Sequence, residues 1–249
     1  MRSSRLLKLF AGIFILVGSA SSYAEAWQWK VTPYVWGVSP ELNLGVVIPP
    51  DDNQAGTEAA FSDLLDKLDF AGQVHIEAQK DDFGFLLDLT NLQLSDRTTQ
   101  GLLEVDTDSS TSLIEGAMLF RISEGTSRTD LLFGFRTLML DVDIEIEGLG
   151  PQGNVIEKST DTTLTDVMAG ARFNTPLSER WNFSVRGDVA TGDTDFSWNV
   201  SAVFGYRFPS AGTVLFGYRY LDVDFDNEGR FTDPELIIQG PQIGYSFHF

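Results

Sequence analysis

Leu236-Ile-Ile-Gln-Gly-Pro-Gln-Ile-Gly-Tyr-Ser-Phe-His-Phe249, which ends the chain, alternates in character residue by residue. Ile237, Gln239, Pro241, Ile243, Tyr245, Phe247 and Phe249 share one face, and Gly240, Gln242, Gly244, Ser246 and His248 share the other. Successive side chains of a strand point to opposite sides, so this stretch predicts a strand with one oily and one wet face. Such a face pair, with aromatics gathered at the end, suits a barrel strand that touches lipid outside and a polar lumen inside.

The same two-residue period recurs upstream. Strands are predicted near Trp27 to Val38, Gly72 to Lys80, Phe83 to Leu94, Thr111 to Ile122, Asp130 to Asp143, Thr162 to Asn174, Trp181 to Thr191, Phe196 to Phe208, Thr213 to Asp224 and Leu236 to Phe249. That makes about ten strands, each near the length of roughly ten residues that a tilted membrane strand needs. Connections at Asp81-Asp82, Ser123 to Thr129, Thr175 to Arg180 and Pro209 to Gly212 are short and rich in turn formers. Between them fall longer stretches, Ser39 to Ala71, Ser95 to Ser110, Ile144 to Asp161 and Phe225 to Glu235, which are expected as acidic outer loops. Gly192 to Asp195 is a short exception. An up-and-down barrel with both termini on the periplasmic side predicts this asymmetry, whereas a soluble β-sandwich, the alternative for any single strand, does not.

Before the first strand, Arg2, Arg5 and Lys8 precede an apolar run from Leu6 to Val17, and Ala24-Glu25-Ala26 offers small residues for cleavage. Residues 1–26 therefore read as an export signal and 27–249 as one barrel domain. No downstream run approaches the roughly 20 apolar residues of a membrane helix. A mean hydropathy near zero with 12% aromatic residues and 23 glycines excludes a helical membrane protein. The absence of cysteine excludes disulfide scaffolds and thiolate metal sites. Losing three bases and one acid with the leader takes the net charge from −19 to −21, which argues against a nucleic-acid partner.

Phe61-Ser-Asp-Leu-Leu-Asp-Lys-Leu-Asp-Phe70 departs from the strand period. Phe61, Leu64, Leu65 and Leu68 fall at helical spacing, so a short amphipathic helix is expected in the first outer loop, as a lid over the lumen or as simple packing on the rim.

The inward parity predicts a lumen holding Glu77, Asp88, Glu115, Asp166 and Asp188 with Arg121, Arg136, Arg172, Arg186, Arg207 and Arg219. Charges sealed from lipid are costly unless paired, which points to a salt-bridged, largely filled lumen. The alternative is a narrow, porin-like pore in which the arginines select anions. Of the two histidines, His75 shares the inward parity beside Glu77 and His248 sits near the terminus; with no serine motif to accompany them, no catalytic residue and no cofactor are assigned. Two acidic rows, Asp141-Asp143 and Asp222-Asp224-Asp226, could hold a divalent cation that bridges to lipopolysaccharide, but they carry no firm metal signature, and a solvated acidic surface is the favoured reading.

Trp27-Gln-Trp-Lys-Val-Thr-Pro-Tyr-Val-Trp36, Phe61 to Phe70 and Phe85-Leu-Leu-Asp-Leu-Thr-Asn-Leu-Gln-Leu-Ser-Asp96 together resemble a group of proteobacterial outer-membrane β-barrel proteins of unassigned function. Tyr245, Phe247 and Phe249 also look like the terminal signal read by the barrel-assembly machinery. The resemblance implies a barrel in the outer membrane of a Gram-negative bacterium and carries over no catalytic residue. With the paired lumen charges, the residues predict a monomeric, non-enzymatic protein in contact with lipid and lipopolysaccharide, with a structural or surface-interaction role.

Overall fold

The computed structural model describes residues 27–43, 56–58, 68–100, 103–123, 125–148, 155–209, 212–225 and 235–249. The expected export signal lies outside them, as does Asp226. Twelve strands form one sheet: β1 (Gln28–Trp36), β2 (Ser39–Asn43), β3 (Gly56–Glu58), β4 (Leu68–Lys80), β5 (Phe83–Gln100), β6 (Leu103–Ser123), β7 (Arg128–Gly148), β8 (Val155–Pro176), β9 (Trp181–Gly192), β10 (Phe196–Phe208), β11 (Gly212–Asp224) and β12 (Glu235–His248). β1 and β4 to β12 run as antiparallel neighbours, and pairing of β1 with β12 closes them into a ten-stranded barrel. The β1–β12 pairing removes the open edge that an unclosed sheet would present to lipid.

At the seam, β2 carries the line of β1 onward along β12, from Ser39 opposite Gln239 to Asn43 opposite Glu235. Between β1 and β2 the register is kept, but Val38 N–H turns back to the Trp36 carbonyl at 3.0 Å. Gly240 lies against this break so tightly that a Cβ there would sit 1.8 Å from the Gly37 carbonyl oxygen. On its other side β1 pairs with β4 only as far as Pro33 opposite Val74. Proline has no N–H to continue a ladder.

The strands are longer than the sequence suggests. β6, β7 and β8 span 21, 21 and 22 residues, about twice what a bilayer requires. Ser95 to Ser110 and Ile144 to Asp161, expected as loops, are instead largely extensions of β5 to β8, with Asp106 paired to Glu145 and Glu145 to Glu157. Their alternation of acid with Val142, Ile144 and Ile146 is a strand pattern that high charge disguises. β4 also begins at Leu68, so the last residues of the expected Phe61–Phe70 helix are strand; residues 61–67 lie outside those described.

The exterior is apolar where the wall is of membrane height. Phe85, Met118, Phe133, Phe135, Val167, Phe204, Phe216 and Ile243 are all exposed on the outer surface. Rings cluster near the turns, with Phe83 and Phe120 at 5.3 Å and Trp181 and Tyr206 at 5.0 Å, while Trp198 and Tyr220 stack at 4.8 Å toward the opposite end. Tyr245 and Phe247 point outward on β12 with centroids 4.8 Å apart. An apolar belt between aromatic girdles around a polar interior makes this an integral membrane barrel of the outer-membrane type.

Candidate functional site: the barrel lumen

Inward parity assembles three tiers inside the barrel. Toward the long strand extensions lies an apolar layer of Trp36, Val38, Leu113, Leu138, Leu221, Val223, Leu236 and Ile238, with Tyr34, Leu92, Leu140 and Phe225 packed against it. These residues come from β1, β6, β7, β11 and β12 and the segments next to them, so the layer reaches across the lumen. A second apolar cluster, Leu86, Ala117, Leu119, Leu132, Met168 and Ala190, lines the wall from β5 to β9.

Beneath the first layer is a network of buried ions. Glu115, fully buried, accepts from Arg136 Nε at 2.8 Å, Arg219 Nη2 at 2.8 Å and Arg186 Nη1 at 3.3 Å. Asp188 pairs with Arg136 and lies 2.7 Å from Arg186 Nε, while Asn199 donates to it at 2.9 Å. Arg219 also sits 4.7 Å over the Trp36 ring, tying the network to the layer above. Asp166 stands apart from the arginines: it accepts from Thr194 N at 3.0 Å and Thr194 Oγ1 at 2.7 Å, pinning the short β9–β10 turn.

A second network lies nearer the termini. Arg172 forks onto Glu77 at 2.7 and 2.9 Å and donates to Asp130 at 2.8 Å. Arg121 approaches the same Asp130 at 3.5 Å. Lys30 shares Glu77 at 2.8 Å. His75 stands between Asp88, 3.0 Å from Nδ1, and Glu77, 3.4 Å from Nε2, while Tyr34 donates to Asp88 at 2.6 Å. Asp130, Lys30 and Tyr34 did not emerge from the sequence, although each obeys the inward parity of its strand.

Arg207 is the named lumen cation that joins neither network. It stands exposed at the mouth of a cavity of about 660 Å³ that opens at the end where the termini lie. Thr213 and His248 border the same mouth, their Oγ1 and Nε2 atoms 3.2 Å apart. Among the described residues the buried apolar layer lies toward the extensions and this cavity toward the termini.

The outer surface of the extensions is acidic. Asp106, Glu145 and Glu157 lie abreast on β6, β7 and β8, Asp108 faces Asp143, and Asp141 faces Asp161. Arg97 joins this face through Asp106 at 2.5 Å. That hydrogen bond, with the charges of Asp106 and Glu104, raises the guanidinium pKa above its ordinary value. The two predicted acidic rows are not brought together, because β7 and β11 lie four strands apart around the wall. Asp222 and Asp224 instead group with Glu235, their carboxylate oxygens within 4.8 Å of one another. The strand register makes this grouping, by setting Glu235 directly opposite Asp224.

No family model matches the sequence. No curated protein matches it. Among solved structures it is similar to the outer membrane protease OmpT from Escherichia coli, at 9% identity over 93% of this chain and 99% of that one, with a TM-score of 0.48. The translocator domain of the autotransporter NalP from Neisseria meningitidis is similar at 12% identity over 98% and 94%, TM-score 0.47. Ail, the attachment invasion locus protein of Yersinia pestis, is similar at 11% identity over 90% and 100%, TM-score 0.40.

Proposed function

We propose that this protein is a non-enzymatic, non-conducting barrel of the Gram-negative outer membrane, with a structural or surface-interaction role exercised through the acidic extensions of β5 to β8. The observation that supports the reading is the succession of two dissimilar buried clusters along the lumen, the apolar layer and the Glu115 network. A hydrated solute would have to shed water to cross the first and displace paired charges to cross the second, and each penalty is large in a low-dielectric interior. The extensions supply the surface role, since they raise about ten residues of each of three strands beyond bilayer height.

The non-enzymatic part rests on His75. Both ring nitrogens face carboxylates that are themselves engaged by cations or by Tyr34, so neither is placed to take a proton from a nucleophile. Planar-bilayer recording of the refolded protein tests the closure: a flat baseline at physiological voltages is expected. Discrete, repeatable openings would replace this reading with that of a narrow pore.

A further inference from the structure

The chain is acidic overall, yet the hollow at its termini end is lined by seven lysine and arginine side chains against three aspartates and glutamates. We propose that this vestibule is a binding site for a small anion bearing phosphate or carboxylate groups, seated on Lys30, Arg207, Thr213 and His248. The inference does not rest on the closure of the lumen above it.

Three observations converge. First, the cationic surplus is local and structural. Arg172, Arg186 and Arg219 are matched by Glu77, Asp130 and Asp88 in the same lining and by Asp188 and Glu115 deeper in the lumen. At the mouth, Arg207 and Arg128 have no carboxylate partner among the described residues, and Lys30 must share Glu77 with Arg172.

Second, register gathers donors on adjacent strands. Lys30 of β1 lies opposite His248 of β12, Thr213 of β11 lies opposite Ser246, and Arg207 of β10 lies opposite Thr213. The inward residues of four successive strands thus present an ammonium, an imidazole, a hydroxyl and a guanidinium around one arc of the wall. Third, about 660 Å³ falls within the range of clefts that enclose small ligands. Walls backed by lipid are of low dielectric, which concentrates the field of such a cluster and raises the local concentration of counter-ions.

The test uses the intact mature barrel in a non-ionic detergent, titrated calorimetrically with inorganic phosphate. Saturable binding to a single site is expected, weakened at least about tenfold, or 1.4 kcal/mol, in Arg207→Gln. Arg207 is exposed and holds no ion pair among the described residues, so this variant keeps the heat-modifiable gel mobility that reports a folded barrel. Arg97→Gln, on the outer extension, removes the same charge far from the vestibule and is expected to bind as the parent does. Equal affinity in the parent and Arg207→Gln, equal losses in Arg207→Gln and Arg97→Gln, or no saturable heat at all would overturn the assignment. Repeating the titration with phosphatidylglycerol in the micelle identifies the source: displacement of phosphate assigns the site to a lipid headgroup, and undiminished binding assigns it to a soluble anion.

Discussion

Replacing Glu115 by Gln tests the central network where it is most exposed to failure. The side chain is fully buried and its two oxygens receive three guanidinium groups, from Arg136 at 2.8 Å, Arg186 at 3.3 Å and Arg219 at 2.8 Å. Glutamine keeps the shape but removes the charge, and its amide turns two donors toward cations that need acceptors. Asp188 and Asp88 then remain to balance the three arginines, Asp88 at a longer 3.7 Å from Arg219. Removing one partner of a buried ion pair costs about 3 to 5 kcal/mol. In a domain of this size each kcal/mol moves the unfolding midpoint by about 2 to 4 °C, so the gel-shift melting temperature should fall by about 6 to 20 °C. Glu145→Gln provides the control, since it changes the same residue type on the outer face. A shift below about 2 °C in Glu115→Gln, with the control also unshifted, would refute the claim that Glu115 holds the network together.

Gly240→Ala should impair closure of the barrel, because its Cβ would meet the Gly37 carbonyl at 1.8 Å where backbone atoms hold both sides; the heat-modifiable fraction after refolding measures this, and refolding at the parent's yield would show that the seam can relax. On the outer face, Glu145 stands between Asp106 and Glu157, like charges placed directly opposite. Glu145→Gln should therefore be neutral or stabilise by about 0.2 to 1 kcal/mol. Raising the salt to 1 M should protect the parent's extensions from protease by screening the same repulsion, and a protection independent of salt would count against it.

The period-2 pattern made the wall readable because one face of each strand must meet lipid, and a polar residue there is penalised. Parity alone placed Glu115, Arg136, Arg172, Asp188 and Arg219 inside. Partner choice was not readable, since it depends on register across strands distant in sequence: Glu77 and Arg172 meet although they lie 95 positions apart. The apolar layer was readable in principle, for Leu221 and Val223 continue the inward parity of Arg219. The extensions escaped for a different reason. Asp, Ser and Thr are turn formers in isolation, but above the bilayer both faces of a strand can be wet, and the alternation of Asp141, Asp143, Glu145 and Glu147 with Val142, Ile144 and Ile146 has no lipid face to sharpen it.

The two tiers proposed to close the lumen differ in chemistry, and that difference separates their contributions to the barrier. If they act in series, loss of either one leaves the other in place. Leu138→Ala with Leu221→Ala removes bulk from the apolar layer, at about 2 to 5 kcal/mol each if the parent's packing does not collapse into the space. Glu115→Gln loosens the ions beneath without removing volume. Neither change alone should produce bilayer openings, because water admitted through the thinned apolar layer still meets paired arginines, and a weakened network still lies under a dry ceiling. The triple variant should conduct, and it should favour anions, since the uncompensated arginines would then line a continuous path down to the cationic vestibule. Openings from the leucine pair alone would mean that the ion network is permeable and that closure belongs to the apolar layer. A silent triple variant that still shows a folded gel mobility would mean that neither tier is the barrier, and the argument for closure in series would fail.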